Sequence, residues 1–145
     1  MEQFDYEKIK EYIRNTSHHT SIYVGCDSRQ TSGSTLFVVV IVVHLDSSRG
    51  AKVFFEVKKE RKIVSLRERL MREVDYAVLT ALNIIDAVEN RPFEVHLDIN
   101  PDENFRSSIV VKEAIGYVKA QGLKPVLKPH SIAAYAVADY ITNKY

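Results

Sequence analysis

The chain has 145 residues, a formal net charge of +1 and a hydrophobic content of 46%, which is the ordinary balance of one globular domain and excludes a strongly basic or disordered protein. A single cysteine, Cys26, excludes a disulfide framework within the chain and suits a reducing compartment. Because the longest apolar run, residues 36–43, is too short to cross a bilayer and the charged N-terminus lacks a signal sequence, we expect one cytoplasmic domain over residues 1–145 without a membrane partner.

The first part of the chain predicts one helix and three strands. Apolar residues at helical spacing between positions 4 and 15 predict an N-terminal helical extension over residues 1–16. Residues 21–26 predict a strand that stops at Asp27. Residues 36–45 predict a strand that is fully buried in its middle, and residues 51–58 predict a strand whose two faces alternate. Short turns separate these three strands, so we expect an antiparallel meander.

The second part of the chain predicts helices that alternate with strands. Ser65 and Glu68 match a capping box, and apolar residues continue from there in one stripe over positions 66–88, which predicts a long helix. We expect a strand over residues 93–99 and a helix over residues 107–121. A short strand over residues 124–128 and a final helix rich in small residues over 131–145 follow.

The resulting order is a helix followed by β-β-β-α-β-α-β-α. Three antiparallel strands followed by alternating helices and strands predict an α/β protein, with a five-stranded mixed sheet between two helical layers. This three-layer α/β/α order is that of the ribonuclease H-like fold with an extra N-terminal helix. The order predicts a fold, and the chemistry has to be argued from particular side chains.

Four acidic residues on separate elements are the candidate metal ligands and catalytic groups: Asp27, Glu73, Asp98 and Asp139. Asp27 and Asp98 each follow a buried apolar run, while Asp139 interrupts a helix of small apolar residues. Glu73 is favoured over Glu68 because it lies nearer the apolar stripe of the long helix, whereas Glu68 serves the cap. Each acid also has an ordinary explanation as a turn residue or an exposed helix residue.

This pattern of acids matches the needs of phosphodiester hydrolysis. Two-metal hydrolysis requires three or four carboxylates around a pair of hard cations, and the ligands have to come from distant parts of the chain. Mg²⁺ or Mn²⁺ suits such oxygen ligands. The charged segment 52–72 contains eight Lys or Arg against three Glu, a balance suited to phosphate contacts. Near the acids stand the candidate substrate-binding residues: Ser28, Arg29, Asn100, Lys128 and His130.

A family resemblance is carried by four segments, which read Tyr23-Val-Gly-Cys-Asp27-Ser28, Ser65-Leu-Arg-Glu-Arg-Leu, Val95-His-Leu-Asp98-Ile-Asn, and Lys128-Pro-His-Ser-Ile-Ala-Ala134 with Ala138-Asp139. Together they resemble the bacterial YkuK-type family, described as predicted ribonuclease-H-related nucleases, over residues 20–143. The resemblance implies a ribonuclease H-like fold in which the four candidate acids occupy the acidic positions of that superfamily. The chain departs from the family pattern at Cys26, where Thr is expected, and at His130, where an acidic residue is usual.

The leading hypothesis is a Mg²⁺- or Mn²⁺-dependent nuclease that acts on RNA, an RNA–DNA hybrid or structured DNA. In this hypothesis Asp27 bridges both metals, Asp98 and Glu73 hold one, and Asp139 holds the other. His130 is a candidate for the proton-transferring histidine that ribonuclease H enzymes carry in a loop before the final acidic helix.

Two alternatives use the same fold without catalysis. The first is a nucleic-acid-binding module in which the basic segment 52–72 makes the contacts. The second is an assembly role in a homo-oligomer, in which Phe4, Tyr12 and Ile13 of the N-terminal helix are buried against a partner subunit.

Overall fold

The computed structural model describes residues 3–102 and 104–145, without the Ile109 side chain, and its centre is a five-stranded sheet. The strands are β1 (Ser21–Gln30), β2 (Ser34–His44), β3 (Ala51–Arg61), β4 (Phe93–His96) and β5 (Pro125–Val126). Their spatial order is β3-β2-β1-β4-β5. The first three strands pair antiparallel, whereas β4 pairs parallel with β1 and with β5. The predicted meander and mixed sheet are therefore confirmed.

Polar side chains cap the N-terminal helix and the long helix, whereas the helix that begins at Val111 has no side-chain cap. Ser65 Oγ accepts the backbone N–H of Glu68 at 3.2 Å, and Asp5 does the same for Lys8. The elements are α1 (Tyr6–Arg14), α2 (Leu66–Val88), α3 (Val111–Ala120), a π-helical segment (Ala133–Ala138) that runs directly into α4 (Asp139–Thr142), and two 3₁₀ turns (Leu45–Ser47 and Arg106–Val110).

Two helical layers cover the sheet, as the three-layer prediction requires. One face packs against α1, α2 and α3, and the other packs against the π-helical segment and α4. Because successive strand residues point to opposite faces, the all-apolar middle of β2 supplies both cores. Phe37, Val39, Ile41 and Val43 belong to the first core, and Val38, Val40 and Val42 to the second.

The N-terminal helix is packed within the chain that carries it. Ile13 is fully buried in the first core, Phe4 and Tyr12 are partly buried against it, and the Tyr12 ring meets Phe54 edge to face at 5.7 Å. These three side chains, which the assembly hypothesis placed against a partner subunit, are therefore occupied by intramolecular contacts. Within the described ranges, no helix is both long enough and apolar enough to span a membrane.

Three element boundaries differ from the prediction near the candidate acids. β1 continues to Gln30, because it stays paired with β2 as far as Thr35, and Asp27 is therefore inside the strand. β4 ends at His96, although backbone hydrogen bonds from Leu97 to Val126 and from Lys128 to Ile99 keep the chain extended past Asp98. The final helix starts with π winding, which apolar periodicity does not distinguish from α winding.

Candidate metal centre

Three carboxylates from three separate elements meet at one edge of the sheet. Asp27 of β1, Glu73 of α2 and Asp98 after β4 each offer one oxygen, and these oxygens all lie within 4.8 Å of one another. Asp27 and Glu73 are buried, at 7% and 6% exposure, and Asp98 is half-buried. The structure thus brings together three of the four predicted acids, including Glu73 rather than Glu68.

Strand register explains how Asp27 and Asp98 come together. In the parallel pair of β1 and β4, Gly25 is opposite His96. Asp27 and Asp98 each lie two residues farther along, and side chains two residues apart point to the same face of a sheet. Both carboxylates therefore reach the carboxyl edge of the sheet on the same face, side by side.

Glu73 reaches this edge from the opposite layer. Its position on α2 places it among the buried residues of that helix, and Ser28 Oγ donates a hydrogen bond to Glu73 Oε2. Ser28, a predicted substrate-binding residue, therefore contacts the helix acid in this structure. No sequence pattern indicates that contact, because it joins residues 45 positions apart.

Crowding of the carboxylates changes their protonation. Burial, followed by the charge of Asp98 and a hydrogen bond with its side chain, raises the pKa of Asp27 to about 8. Burial and the charges of Asp27 and Asp98 also raise the pKa of Glu73 well above its usual range, against opposing effects of Ser28 and Arg69. Ionising these carboxylates therefore carries an electrostatic cost that a bound cation would relieve.

The contacts of Asp98 bear on whether a cation fits this centre. Lys128 Nζ lies 2.7 Å from Asp98 Oδ1, so the two form an ion pair. The same oxygen is buried and has no hydrogen bond of acceptable geometry among the described residues. The donor set consists of carboxylate oxygens, and Asp98 Oδ1 already contacts a cation, the Lys128 ammonium. Such oxygens suit a hard divalent cation such as Mg²⁺ or Mn²⁺.

Asp139 lies at the margin of the group. It is exposed at the start of α4 and is outside the set of three oxygens. A hydrogen bond with its side chain nevertheless contributes to the raised pKa of Asp27. The fourth predicted acid is therefore next to Asp27, on the side of the centre formed by the C-terminal helical layer.

The other predicted substrate-binding residues have different positions. Lys128 contacts Asp98, as described above, and His130 is exposed in the loop before the π-helical segment. Arg29 is half-buried, with its Nε lacking a hydrogen-bond partner among the described residues. Asn100 holds a turn, because its Oδ1 accepts the backbone N–H of Asp102 at 2.9 Å.

Two residues before Asp98 lies a histidine on the same strand face, a place next to the centre that the sequence already suggests. His96 is 2% exposed, its Nδ1 is 3.0 Å from the Ala133 backbone nitrogen, and its Nε2 is 3.0 Å from Glu94 Oε1. Burial lowers the pKa of His96, although Glu94 opposes the shift. The alternation Glu94, His96, Asp98 is the sequence feature that points to it.

Cys26, also buried, has a thiol pKa raised by burial and by the nearby acids.

A basic rim, defined as Lys59, Arg61 and Lys62, lies at the same end of the sheet. β1 and β3 both run antiparallel to β2, and Gln30 and Glu60 are both opposite Thr35. The carboxyl ends of β1 and β3 therefore lie together, about 10 Å apart across the sheet. The three rim side chains are exposed, and within residues 3–102 and 104–145 no carboxylate pairs with them.

Comparison with known proteins gives two matches. A family model described as Ribonuclease H-like matches residues 5–143. The chain is also 24% identical over 153 residues to an uncharacterized protein, YkuK, of Bacillus subtilis (strain 168), an alignment that covers 94% of this chain and 88% of the relative. No solved structure matches the chain.

Proposed function

The chain belongs to the ribonuclease H-like family, and from this membership we propose that it is a divalent-metal-dependent nuclease that hydrolyses phosphodiester bonds in nucleic acid. The observation that carries the proposal is the meeting of Asp27, Glu73 and Asp98 within 4.8 Å. Carboxylates gathered in this way from separate elements are typical of a site that binds cations, and the raised pKa values of Asp27 and Glu73 reflect the cost of ionising them without one.

Each acid has a defined part in this proposal. Asp27, at the middle of the group, would be shared by two cations; Glu73 and Asp98 would complete the ligands of one, and Asp139 those of the other. When bound, such cations lower the pKa of an attacking water and neutralise charge on the leaving oxygen. Ser28 keeps the Glu73 carboxylate oriented through its hydrogen bond, because the Glu side chain has several rotatable bonds.

The basic rim supports nucleic acid as the substrate class. A phosphodiester chain brings negative charge toward a centre that is itself acidic, so its approach requires cations outside the centre. Lys59, Arg61 and Lys62 supply them at the same end of the sheet, and Lys128 supplies another beside Asp98. RNA, an RNA–DNA hybrid and structured DNA share this backbone chemistry, and all three belong in the substrate screen.

Calorimetric titration with Mn²⁺ is the first test, and α2 provides a matched pair of variants. Glu73→Gln should lose one of the two Mn²⁺ ions, because it removes a ligand of that ion. Glu68→Gln makes the same change at an exposed position of the same helix and should bind like wild type. Asp27→Asn should lose binding altogether, because that residue serves both ions.

A cleavage assay then tests the activity. Wild type should cut at least one of the three substrates with Mn²⁺ or Mg²⁺ and none with EDTA, and Asp27→Asn should be slower by at least about 100-fold. Cleavage by Asp27→Asn at the wild-type rate would refute the site. Nucleic-acid binding that persists in EDTA, without Mn²⁺ binding or cleavage, would instead support the non-catalytic binding module.

A further inference from the structure

His96 connects the sheet to the helical layer that carries Asp139. The Ala133 backbone N–H, at the first residue of the π-helical segment, donates to His96 Nδ1 at 3.0 Å. Both residues are buried, at 2% for His96 and 0% for Ala133. A buried amide whose one acceptor is a side chain depends on that side chain, because leaving the amide unpaired is unfavourable.

The proton arrangement on His96 follows from its neighbours. Because Nδ1 accepts the Ala133 N–H, the ring proton is on Nε2, which donates to Glu94 Oε1 at 3.0 Å. Glu94 also pairs with Lys124 at 3.4 Å. The imidazole stacks on Tyr23, with ring centroids 4.7 Å apart and planes 21° apart. Both ring nitrogens therefore have protein partners, and neither is free to bind a cation.

The contact at Ala133 lies on the same helical segment that leads to Asp139. The helix runs without interruption from Ala133 through Ala138 to Asp139, so its position on the sheet fixes the position of that acid. Gly25 allows the backbone of this segment to approach β1 closely: an added Cβ there would lie 2.7 Å from the Ala134 nitrogen. Glycine permits the approach, and the directional hydrogen bond to His96 sets the register at which the segment is held.

We propose that His96 is a positioning residue for Asp139, holding the first amide of the π-helical segment so that the segment brings Asp139 to Asp27. The metal-binding consequence rests on the proposed function, whereas the positioning itself does not. His96 contacts neither cation nor substrate in this scheme, because both of its nitrogens are bonded within the protein.

Amide hydrogen exchange in metal-free protein tests the positioning. His96→Phe keeps an aromatic ring against Tyr23 but removes the acceptor, and should accelerate exchange of the Ala133 amide about tenfold or more relative to β2 amides. His96→Asn places an oxygen where Nδ1 stands and should restore much of the protection. Tyr23→Phe, which keeps the stacked ring and loses only the hydroxyl bond to His44, is the matched control.

A double-mutant cycle on Mn²⁺ binding tests the connection to Asp139. His96→Phe should weaken the second Mn²⁺ about tenfold and leave the first, held by Asp27, Glu73 and Asp98, unchanged. In an Asp139→Asn background the same substitution should have no further effect, because the residue through which it acts is gone. Additive effects would show that His96 acts elsewhere, and would overturn the proposal.

The two experiments separate the two proposals. An Ala133 amide that stays protected in His96→Phe overturns the positioning role, whatever the protein does with metal. A wild-type protein that neither binds Mn²⁺ nor cleaves any of the three substrates refutes the nuclease proposal, and the exchange result then decides the role of His96 by itself. A merely stabilising role predicts uniform acceleration of all amides and weakening of both Mn²⁺ ions together.

Discussion

At the scale of single residues, the carboxyl of Asp27 destabilises the metal-free protein when it ionises. Its pKa is about 8 in the folded chain and about 3.9 in an unfolded one. Between these values the folded state holds a proton that the unfolded state has released, so the free energy of unfolding falls as pH rises through this window. Other groups add their own pH dependence, but this contribution has a definite sign.

Asp27→Asn should therefore stabilise the metal-free protein at pH 8, by roughly 1–3 kcal/mol, because Asn cannot ionise among the other carboxylates. The difference should shrink toward pH 4, where the unfolded state also begins to hold the proton on Asp27. Urea unfolding at several pH values in EDTA measures it. Glu68→Gln should show no such trend, and an Asp27→Asn protein less stable than wild type at pH 8 would contradict the prediction.

Positions that follow from the geometry of a helix or a strand could be predicted from the sequence. Glu73 was chosen over Glu68 by its angle from the apolar stripe, and the structure places it with Asp27 and Asp98. Ser28 was predicted to bind substrate, and the structure adds a hydrogen bond to Glu73 that the sequence did not indicate. The orientation of one hydroxyl depends on which helix packs above it, and periodicity carries no information about that contact.

At the scale of elements, the contact between Gly25 and the π-helical segment is the closest approach that bears on the centre. A Cβ at this position would meet the Ala134 nitrogen at 2.7 Å and the Ala133 carbonyl carbon at 2.8 Å, and both are backbone atoms. Gly25→Ala should therefore push the segment outward and reduce the free energy of unfolding by about 1–3 kcal/mol.

The matched control for this substitution is Gly116→Ala in α3, where an added Cβ has nothing within 4 Å. Alanine is the better helix former, so this variant should be stabilised by up to about 1 kcal/mol. Denaturant unfolding compares the two variants directly. Equal changes in the free energy of unfolding for the two variants would show that the close approach at Gly25 does not affect stability.

The elements themselves were largely predictable, and their ends near the centre were not. β2 and α2 follow from long apolar patterns, and Ser65 marks the start of α2. β4 has four residues where seven were predicted, since its neighbour β5 supplies just two pairing residues. Strand length depends on a partner distant in sequence, and π winding depends on packing against β1, so neither can be obtained from local propensity.

At the scale of the whole molecule, the acidic centre and the basic rim share one end of the sheet. Replacement of Lys59, Arg61 and Lys62 by Gln should weaken nucleic-acid binding and make the slope of log affinity against log salt shallower by about 2–3, through lost counterion release. Mn²⁺ binding should be unchanged, because none of the three residues belongs to the carboxylate group. Fluorescence anisotropy over a salt series measures both affinity and slope.

The control removes the same charge from elsewhere on the chain. Lys8, Lys52 and Lys119 are exposed, and Lys52 lies at the opposite end of β3 from the rim. Their replacement by Gln lowers the net charge equally and should leave most of the salt dependence intact. A loss of binding as large as that of the rim variant would mean that overall charge, rather than the rim, attracts the substrate.

The rim also lies on the longest exposed boundary of the sheet. β3 is an edge strand of eleven residues, and the unpaired backbone groups of such a strand can recruit a strand from another molecule and start aggregation. Charged side chains along β3 oppose this by repulsion and by the solvation they would lose on pairing. Lys59 and Arg61 lie on β3 itself, so these two cations, proposed to attract a polyanion, also oppose self-association through this edge.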